Sequence, residues 1–482
     1  MRILLTTEGT YPYFQGGVST WAHELVNGLP EHEFVVGAVI GSPDVAPAFS
    51  VPANTRVVPI PLWGTEKVDE YVRRPTRIRW GPRKVRSPER AFVELLLPAY
   101  EEVVRNLLET REPRELGAAI ADIAEYCETN DLHEGLRDPR CWRLVRTRLS
   151  EHEQLRGISM ADAIDFARSL YRYLTPLAVP LPDVDVAHSS GAALCALPAL
   201  AAKLHKGVPL LLTEHGVYVR ERVLHLVRND TPLLRKVLLG NLYRAIARCA
   251  YAHADIVLPV CEYNTSWEYQ LGAEPARMQV VYNGVNPDEF APRAVQLDRP
   301  TIAYVGRIEP LKDVLGLITA LNMVRREVPD ILLRIHGPDD DRRYAERCRL
   351  AVATMRLEDN VVFEGSTKDP VRAYQESDVV VLCSVSEGFP YTVVEAMATG
   401  RPVVATAVGG VPEALNRPEL LVEPQNPQAL ADALVALFRQ THEEREAIGR
   451  EFRERAVSLF SQERFLEAYR ALYEGVVSDY VA

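Results

Sequence analysis

Residues 378–400 constrain this chain more than any other stretch. Val379 to Leu382 is a short unbroken apolar run, which fits a strand buried on both faces of a parallel sheet. Ser384 to Pro390 is a polar turn punctuated by Gly388 and Pro390. Thr392 to Thr399 reads as a helix, with Gly400 where a C-terminal glycine belongs. Glu387 therefore sits at the carboxyl end of a strand, and Glu395 lies one to two turns into the next helix. In an open α/β sheet, ligands bind at that end of the strands. Backbone amides of Gly388, Phe389, Pro390 (which lends only its carbonyl), Tyr391, Thr392 and Val393 lie between the two carboxylates, at a helix N-terminus that favours phosphate. The layout suits a sugar nucleotide: one carboxylate for sugar hydroxyls, amides for the diphosphate, the other carboxylate for ribose hydroxyls.

The string Ser386-Glu387-Gly388-Phe389-Pro390 followed by Glu395-Ala396-Met397-Ala398-Thr399-Gly400 resembles the Glu-x7-Glu motif of retaining family 4 glycosyltransferases, which have the GT-B fold. A second string, Glu8-Gly9-Thr10-Tyr11-Pro12-Tyr13 with Gly16-Gly17-Val18-Ser19-Thr20-Trp21, resembles the N-terminal signature of PelF-type glycosyltransferases of bacterial exopolysaccharide synthesis. The resemblance covers Glu8 to about Pro427 and implies a particular α/β architecture. That architecture is two doubly wound Rossmann-like domains facing a cleft, with a helical insertion in the N-terminal one.

At 482 residues the chain is too long for one core, and the order of its elements supports two domains. Residues 1–290 read as an acceptor-side domain. Strands are expected at 2–7, 33–41, 56–60, 184–188, 209–213, 255–260 and 278–282. Residues 63–180 break the strand–helix alternation and read as a mostly helical insertion, with helices at 91–108, 116–126 and 161–174. It opens on a basic run, 71–89, carrying Arg73, Arg74, Arg77, Arg79, Arg83, Lys84 and Arg86, which reads as a solvated face or an anionic contact. Pro-rich residues 287–299 read as a linker. Residues 300–454 repeat the plan as a nucleotide-sugar domain, and the resemblance implies that helices in 455–482 cross back to the first domain.

Candidate chemistry gathers at strand ends. Arg307 and Lys312, in Gly306-Arg307-Ile308-Glu309-Pro310-Leu311-Lys312, can converge on one anion, and the arginine offers a planar fork for a diphosphate. Their match to the family's pair implies that they stabilise the leaving nucleoside diphosphate. The cationic pair removes the need for Mg²⁺ at the diphosphate, so metal-independent catalysis with no cofactor is expected. The resemblance assigns His215, in Thr213-Glu214-His215-Gly216, to positioning the transferred sugar. His188 is an acceptor-side candidate. Gly16 and Gly17 open a helix and let backbone approach a donor phosphate. Gly409-Gly410 reads as a second glycine loop at a strand end, and the resemblance implies that it shapes the pocket wall and that Gly337 with Val361 to Gly365 frames the base.

A net charge of −11 argues against nucleic acid as a partner. Seven cysteines with no Cys-x-x-Cys pair point to reduced, buried thiols and a cytoplasmic location. The N-terminal apolar run is too short for a signal peptide, and no run reaches the ~18 residues of a membrane span. The expected activity is metal-independent retaining transfer of a hexose from a UDP-sugar, UDP-glucose or a relative, to a growing glycan. A membrane synthase complex is a possible partner. Two alternatives stand beside it. A non-hydrolysing nucleotide-sugar epimerase would turn over donor without acceptor, and a sugar-nucleotide-sensing subunit would not turn over at all. A dinucleotide oxidoreductase is disfavoured, because neither domain shows Gly-x-Gly-x-x-Gly after its first strand.

Overall fold

The computed structural model describes residues 1–63, 89–155, 157–180, 182–228, 232–367 and 369–481. The basic run, apart from Glu89, lies outside them. The chain divides into two compact units. Unit 1 takes Met1–Pro259, Thr265–Val280 and the chain from Tyr469 onward; unit 2 takes Val260–Asn264 and Val281–Ala468.

Each unit is built on a six-stranded, all-parallel sheet. In unit 1 the strands are β1 (Arg2–Glu8), β2 (Glu33–Ile40), β3 (Thr55–Pro61), β4 (Val186–Ser189), β5 (Leu210–Glu214) and β6 (Ile256–Pro259), in spatial order β3-β2-β1-β4-β5-β6. In unit 2 they are β7 (Thr301–Val305), β8 (Leu332–His336), β9 (Val361–Gly365), β10 (Val379–Leu382), β11 (Val403–Thr406) and β12 (Leu421–Val422), in order β12-β11-β10-β7-β8-β9. Counted from its own first strand, each sheet runs 3-2-1-4-5-6, the doubly wound order. The order reverses between β1 and β4 in unit 1, and between β7 and β10 in unit 2. Such a switch point opens a crevice at the carboxyl ends of the two strands.

The strands are short and apolar because helices cover both faces, which leaves no solvated side to enforce alternation. β4, β10 and β11 are buried at every position. The strand–helix plan expected to repeat over residues 300–454 is present in unit 2. The strand expected at 278–282 is not: Met278 makes one isolated bridge to Val257, and the chain passes into unit 2 after Val280. Residues 287–299 belong to unit 2.

The insertion is helical where it is described. The helices Leu97–Leu108, Pro113–Thr129, Pro139–Glu151 and Met160–Tyr173 share a core with the unit 1 sheet through Val104, Ile120, Val145 and Leu170. The helix Pro139–Glu151 was missed because it is rich in arginine. Its buried stripe, Cys141, Val145 and Leu149, nevertheless has helical spacing. The last helix, Gln462–Val481, gives unit 1 two fully buried tyrosines, Tyr469 and Tyr473.

Candidate functional site

The carboxyl ends of β7 and β10 carry most of the predicted residues of unit 2. After β10, Glu387 is largely buried, and Lys312 Nζ stands 2.5 Å from its Oε1. Lys312 is the last residue of a single turn, Pro310–Lys312, that follows β7. A long apolar stem and a paired charge let both groups sit where water is scarce. Arg307 is more exposed and lies between two acids. Its Nη2 is 2.8 Å from Glu309 Oε1 and its Nη1 is 2.9 Å from Asp340 Oδ2. These neighbouring carboxylates raise the guanidinium pKa, against the opposing effect of burial. Each predicted cation therefore already holds an acid.

The turn between Glu387 and the helix Tyr391–Ala398 is fixed from several sides. Asn283 Nδ2 donates to the Phe389 carbonyl at 2.9 Å. The Phe389 ring packs on Tyr282 and Phe460 with centroids 5.0 and 5.1 Å away. Gly410 N donates to the Gly388 carbonyl at 2.7 Å. Gly409 has φ 55°, and a Cβ there would stand 2.5 Å from the Gly388 carbonyl oxygen and closer still to that of Glu387. The glycine loop expected in the pocket wall is thus the close neighbour of the Glu387 turn. Thr392 Oγ1 donates to the Val305 carbonyl at 3.3 Å, tying the helix start to β7. On the far side of β7, Gly337 abuts Gly306: a Cβ there would stand 2.7 Å from the Gly306 carbonyl carbon. Gly337 N also donates to the Gly365 carbonyl at 2.8 Å, so the frame expected from Gly337 and β9 is one connected edge.

Glu395 lies inward from this turn. Its Oε2 accepts a hydrogen bond from the Tyr374 hydroxyl at 2.5 Å. Burial pushes the carboxyl up to about 7, and the Tyr374 hydrogen bond pulls the other way. Tyr374 was not foreseen. It is fully buried in the short helix Pro370–Gln375, where its sequence position reads as core. Glu309 and Asp340 were missed as well, although Glu309 stands two residues from Arg307.

In unit 1, Gly16 and Gly17 are exposed at the start of the helix Gly17–Gly28. That helix buries Trp21, whose indole lies edge-on to His215 with centroids 4.6 Å apart. His215 Nε2 is buried without a hydrogen-bond partner among the described residues, and burial lowers the ring to about 3. The imidazole is therefore neutral at physiological pH. His188 is fully buried on β4. Its Nδ1 is 2.7 Å from the Tyr473 hydroxyl and its Nε2 is 2.8 Å from Thr213 Oγ1. Both ring nitrogens are committed within the core, which leaves His188 neither an exposed face nor a free nitrogen for the acceptor expected there. At the end of β1, Glu8 accepts from Tyr218 Oη at 2.8 Å, Arg222 Nη2 at 3.0 Å and the Leu194 amide at 2.8 Å. A small cavity of about 70 Å³ under Phe166, Leu170 and Leu242 holds none of the predicted site residues.

Among the described residues no three His, Cys, Asp or Glu side chains come together to hold a metal ion, and no helix is long and apolar enough to cross a membrane. All seven cysteines are buried and none forms a disulfide.

Two doubly wound parallel sheets define the GT-B class of architecture. Solved structures share it along their length. Sucrose-phosphate synthase from Thermosynechococcus elongatus is 19% identical, with a TM-score of 0.64, covering 99% of both chains. Anabaena Alr3699/HepE, solved in complex with UDP-glucose, is 15% identical, with a TM-score of 0.61, covering 98% of this chain and 100% of that one. Among curated proteins, the D-inositol 3-phosphate glycosyltransferase of Mycobacterium sp. (strain KMS) is 38% identical over 158 residues, 30% of this chain and 35% of the relative. That of Mycobacterium bovis (strain BCG / Pasteur 1173P2) is 31% identical over 234 residues, 44% of this chain and 46% of the relative. The chain thus spans between a third and a half of these relatives' length. Residues 299–440 match the family model described as Glycosyl transferases group 1. Residues 1–276, more than half of the chain, match the model described as Domain of unknown function (DUF3492), and the chain belongs to that family.

Proposed function

We propose that this protein is a glycosyltransferase that takes a UDP-hexose on unit 2 and transfers the sugar, with retention of configuration, to a growing glycan in exopolysaccharide synthesis. The observation that carries the reading is the Lys312–Glu387 pair, 2.5 Å apart at the switch point of a parallel sheet and beside a helix N-terminus. A diphosphate arriving there offers Lys312 and Arg307 oxygens in exchange for their carboxylates. As the bond from the anomeric carbon to the phosphate oxygen breaks, charge grows on the departing diphosphate, where two fixed cations stabilise it most. Lys312 released from Glu387 leaves that carboxylate to accept hydrogen bonds from sugar hydroxyls. Glu395 takes the ribose. His215, neutral, positions the sugar through hydrogen bonds, and the amides at Gly16 and Gly17 are offered to an anion. No metal is required, because the cations do its work. UDP and UDP-glucose are the ligands of the Anabaena structures of the same fold, and the PelF-type signature at Glu8 to Trp21 supports the exopolysaccharide role.

The test is a thermal-shift panel of UDP-, GDP- and ADP-sugars on the wild type and Glu395→Ala, because a ligand bound to the native state raises the midpoint. A shift with a UDP-hexose, lost in the variant, is expected. Turnover with acceptor should give the anomer of the donor by NMR and should survive EDTA. No shift with any nucleotide sugar refutes the donor site. An inverted product refutes retention, and loss of activity in EDTA rescued by Mg²⁺ refutes metal independence.

A further inference from the structure

Glu395 has an asymmetric environment. Its Oε2 is held by the Tyr374 hydroxyl at 2.5 Å, while Oε1 accepts no hydrogen bond among the described residues. Tyr374 cannot wander: it is fully buried, lies against Phe290 with centroids 6.3 Å apart, and its phenol also meets the Thr392 side chain. Thr392 in turn is tied to the end of β7. A carboxylate with one oxygen pinned has one remaining orientation, in which the other oxygen is presented at a fixed angle.

On the donor reading above, we infer that Tyr374 is a positioning residue that orients Glu395 to accept the vicinal hydroxyls of the nucleotide's ribose, and so makes the site select ribonucleotides over deoxyribonucleotides. A free carboxylate would rotate and accept one hydroxyl weakly. A pinned one is prepared for the diol before the ligand arrives, which lowers the ordering cost of binding.

The groups facing Glu395 define how binding follows pH. Tyr374 donates to it from the helix Pro370–Gln375, and the Glu289 carboxylate, in the loop before β7, opposes its ionisation. Only the ionised carboxylate accepts both ribose protons. UDP affinity should therefore rise as pH rises through the region where Glu395 titrates, which burial places near 7. Removing the Tyr374 hydroxyl removes a group that favours the charged form, so the midpoint moves to higher pH.

The test uses the full chain, titrated calorimetrically with UDP, 2′-deoxyUDP and 3′-deoxyUDP. Wild type should prefer UDP by about tenfold or more, the scale of one charge-assisted hydrogen bond. Tyr374→Phe should weaken UDP by a similar factor, leave the deoxy analogues unchanged, and shift the pH midpoint of UDP binding upward. Glu395→Gln should lose the same discrimination, and the double variant should be no worse than Glu395→Gln alone, because both act through one contact. A purely structural role would weaken all three ligands equally. Should the phenylalanine variant not fold, 3-fluorotyrosine in place of Tyr374 keeps the ring and strengthens the donor, and should keep the discrimination and lower the midpoint. Undiminished discrimination in Tyr374→Phe, or additive effects in the double variant, overturns the role of Tyr374 alone. No UDP binding by the wild type overturns the donor reading and this inference with it.

Discussion

Replacing Gly409 by alanine tests whether the turn at Glu387 is held by the glycine loop beside it. Gly409 sits at φ 55°, where an L side chain costs about 1–2 kcal/mol. The added Cβ would also lie 2.5 Å from the Gly388 carbonyl oxygen, with the Glu387 oxygen nearer still. Real Cβ atoms essentially never come within 3.0 Å of such neighbours, so the turn must retreat by about 0.5 Å or more. It cannot do so freely, because Phe389 is clasped by Asn283, Tyr282 and Phe460. Forced overpacking of this kind costs about 1–3 kcal/mol beyond the backbone term. The total, roughly 2–5 kcal/mol, should lower the melting temperature of unit 2 by roughly 5–15 °C. Glu387 and the amides after Gly388 move together, so UDP affinity should fall, and turnover should fall by up to about 100-fold where an ångström of misplacement results. Differential scanning fluorimetry and calorimetric titration read both effects. Gly475→Ala is the control: that glycine is exposed in a helix with nothing within 4 Å of a new Cβ, and alanine there should stabilise by about 0.5–1 kcal/mol. A Gly409→Ala protein that melts with the wild type and binds UDP equally would refute the reasoning.

Two further outcomes follow from buried polar groups in unit 1. Glu268 is fully buried, neither of its carboxyl oxygens meets a hydrogen-bond donor among the described residues, and burial with the nearby Glu214 carboxyl pushes it up to about 9. Because that folded value lies above the ordinary 4.5, the folded chain keeps a proton that the unfolded chain has lost, and stability falls as pH rises from about 4.5 to about 9. Glu268→Gln should therefore melt higher than wild type, by a margin that widens between pH 5 and pH 8.5; a constant margin would show that Glu268 does not titrate there. Tyr473→Phe should cost about 1–3 kcal/mol in urea denaturation by leaving His188 Nδ1 without its partner, and an unchanged urea midpoint would mean that the contact contributes nothing.

Both sheets were legible because parallel strands covered on both faces are built on short continuous apolar runs, as at residues 210–212 and at Val379–Leu382. The helix Pro139–Glu151 escaped because arginines hide its stripe, and the strand expected at 278–282 failed because local apolarity cannot show that a chain is about to leave a sheet. At the candidate site, Arg307, Lys312, Glu387 and Glu395 were legible because a charged residue beside a strand end or in a helix opening is unusual enough to stand out. Tyr374 was not: a tyrosine next to Ala373 in a short helix looks like core, and it is core, except for one hydroxyl.

The amino-acid sequence by itself determined the repeated strand–helix plan, the two sheets and the strand ends where charged groups gather, because periodicity, glycine and local charge are properties of neighbouring residues. Only the tertiary structure decided the partners. Lys312 meets Glu387, Tyr374 meets Glu395, and His188 is enclosed by Thr213 and Tyr473, residues 25 and 285 positions away. Such pairings are set by which strands lie side by side at a switch point and which helix returns to cover them, and no local pattern encodes that.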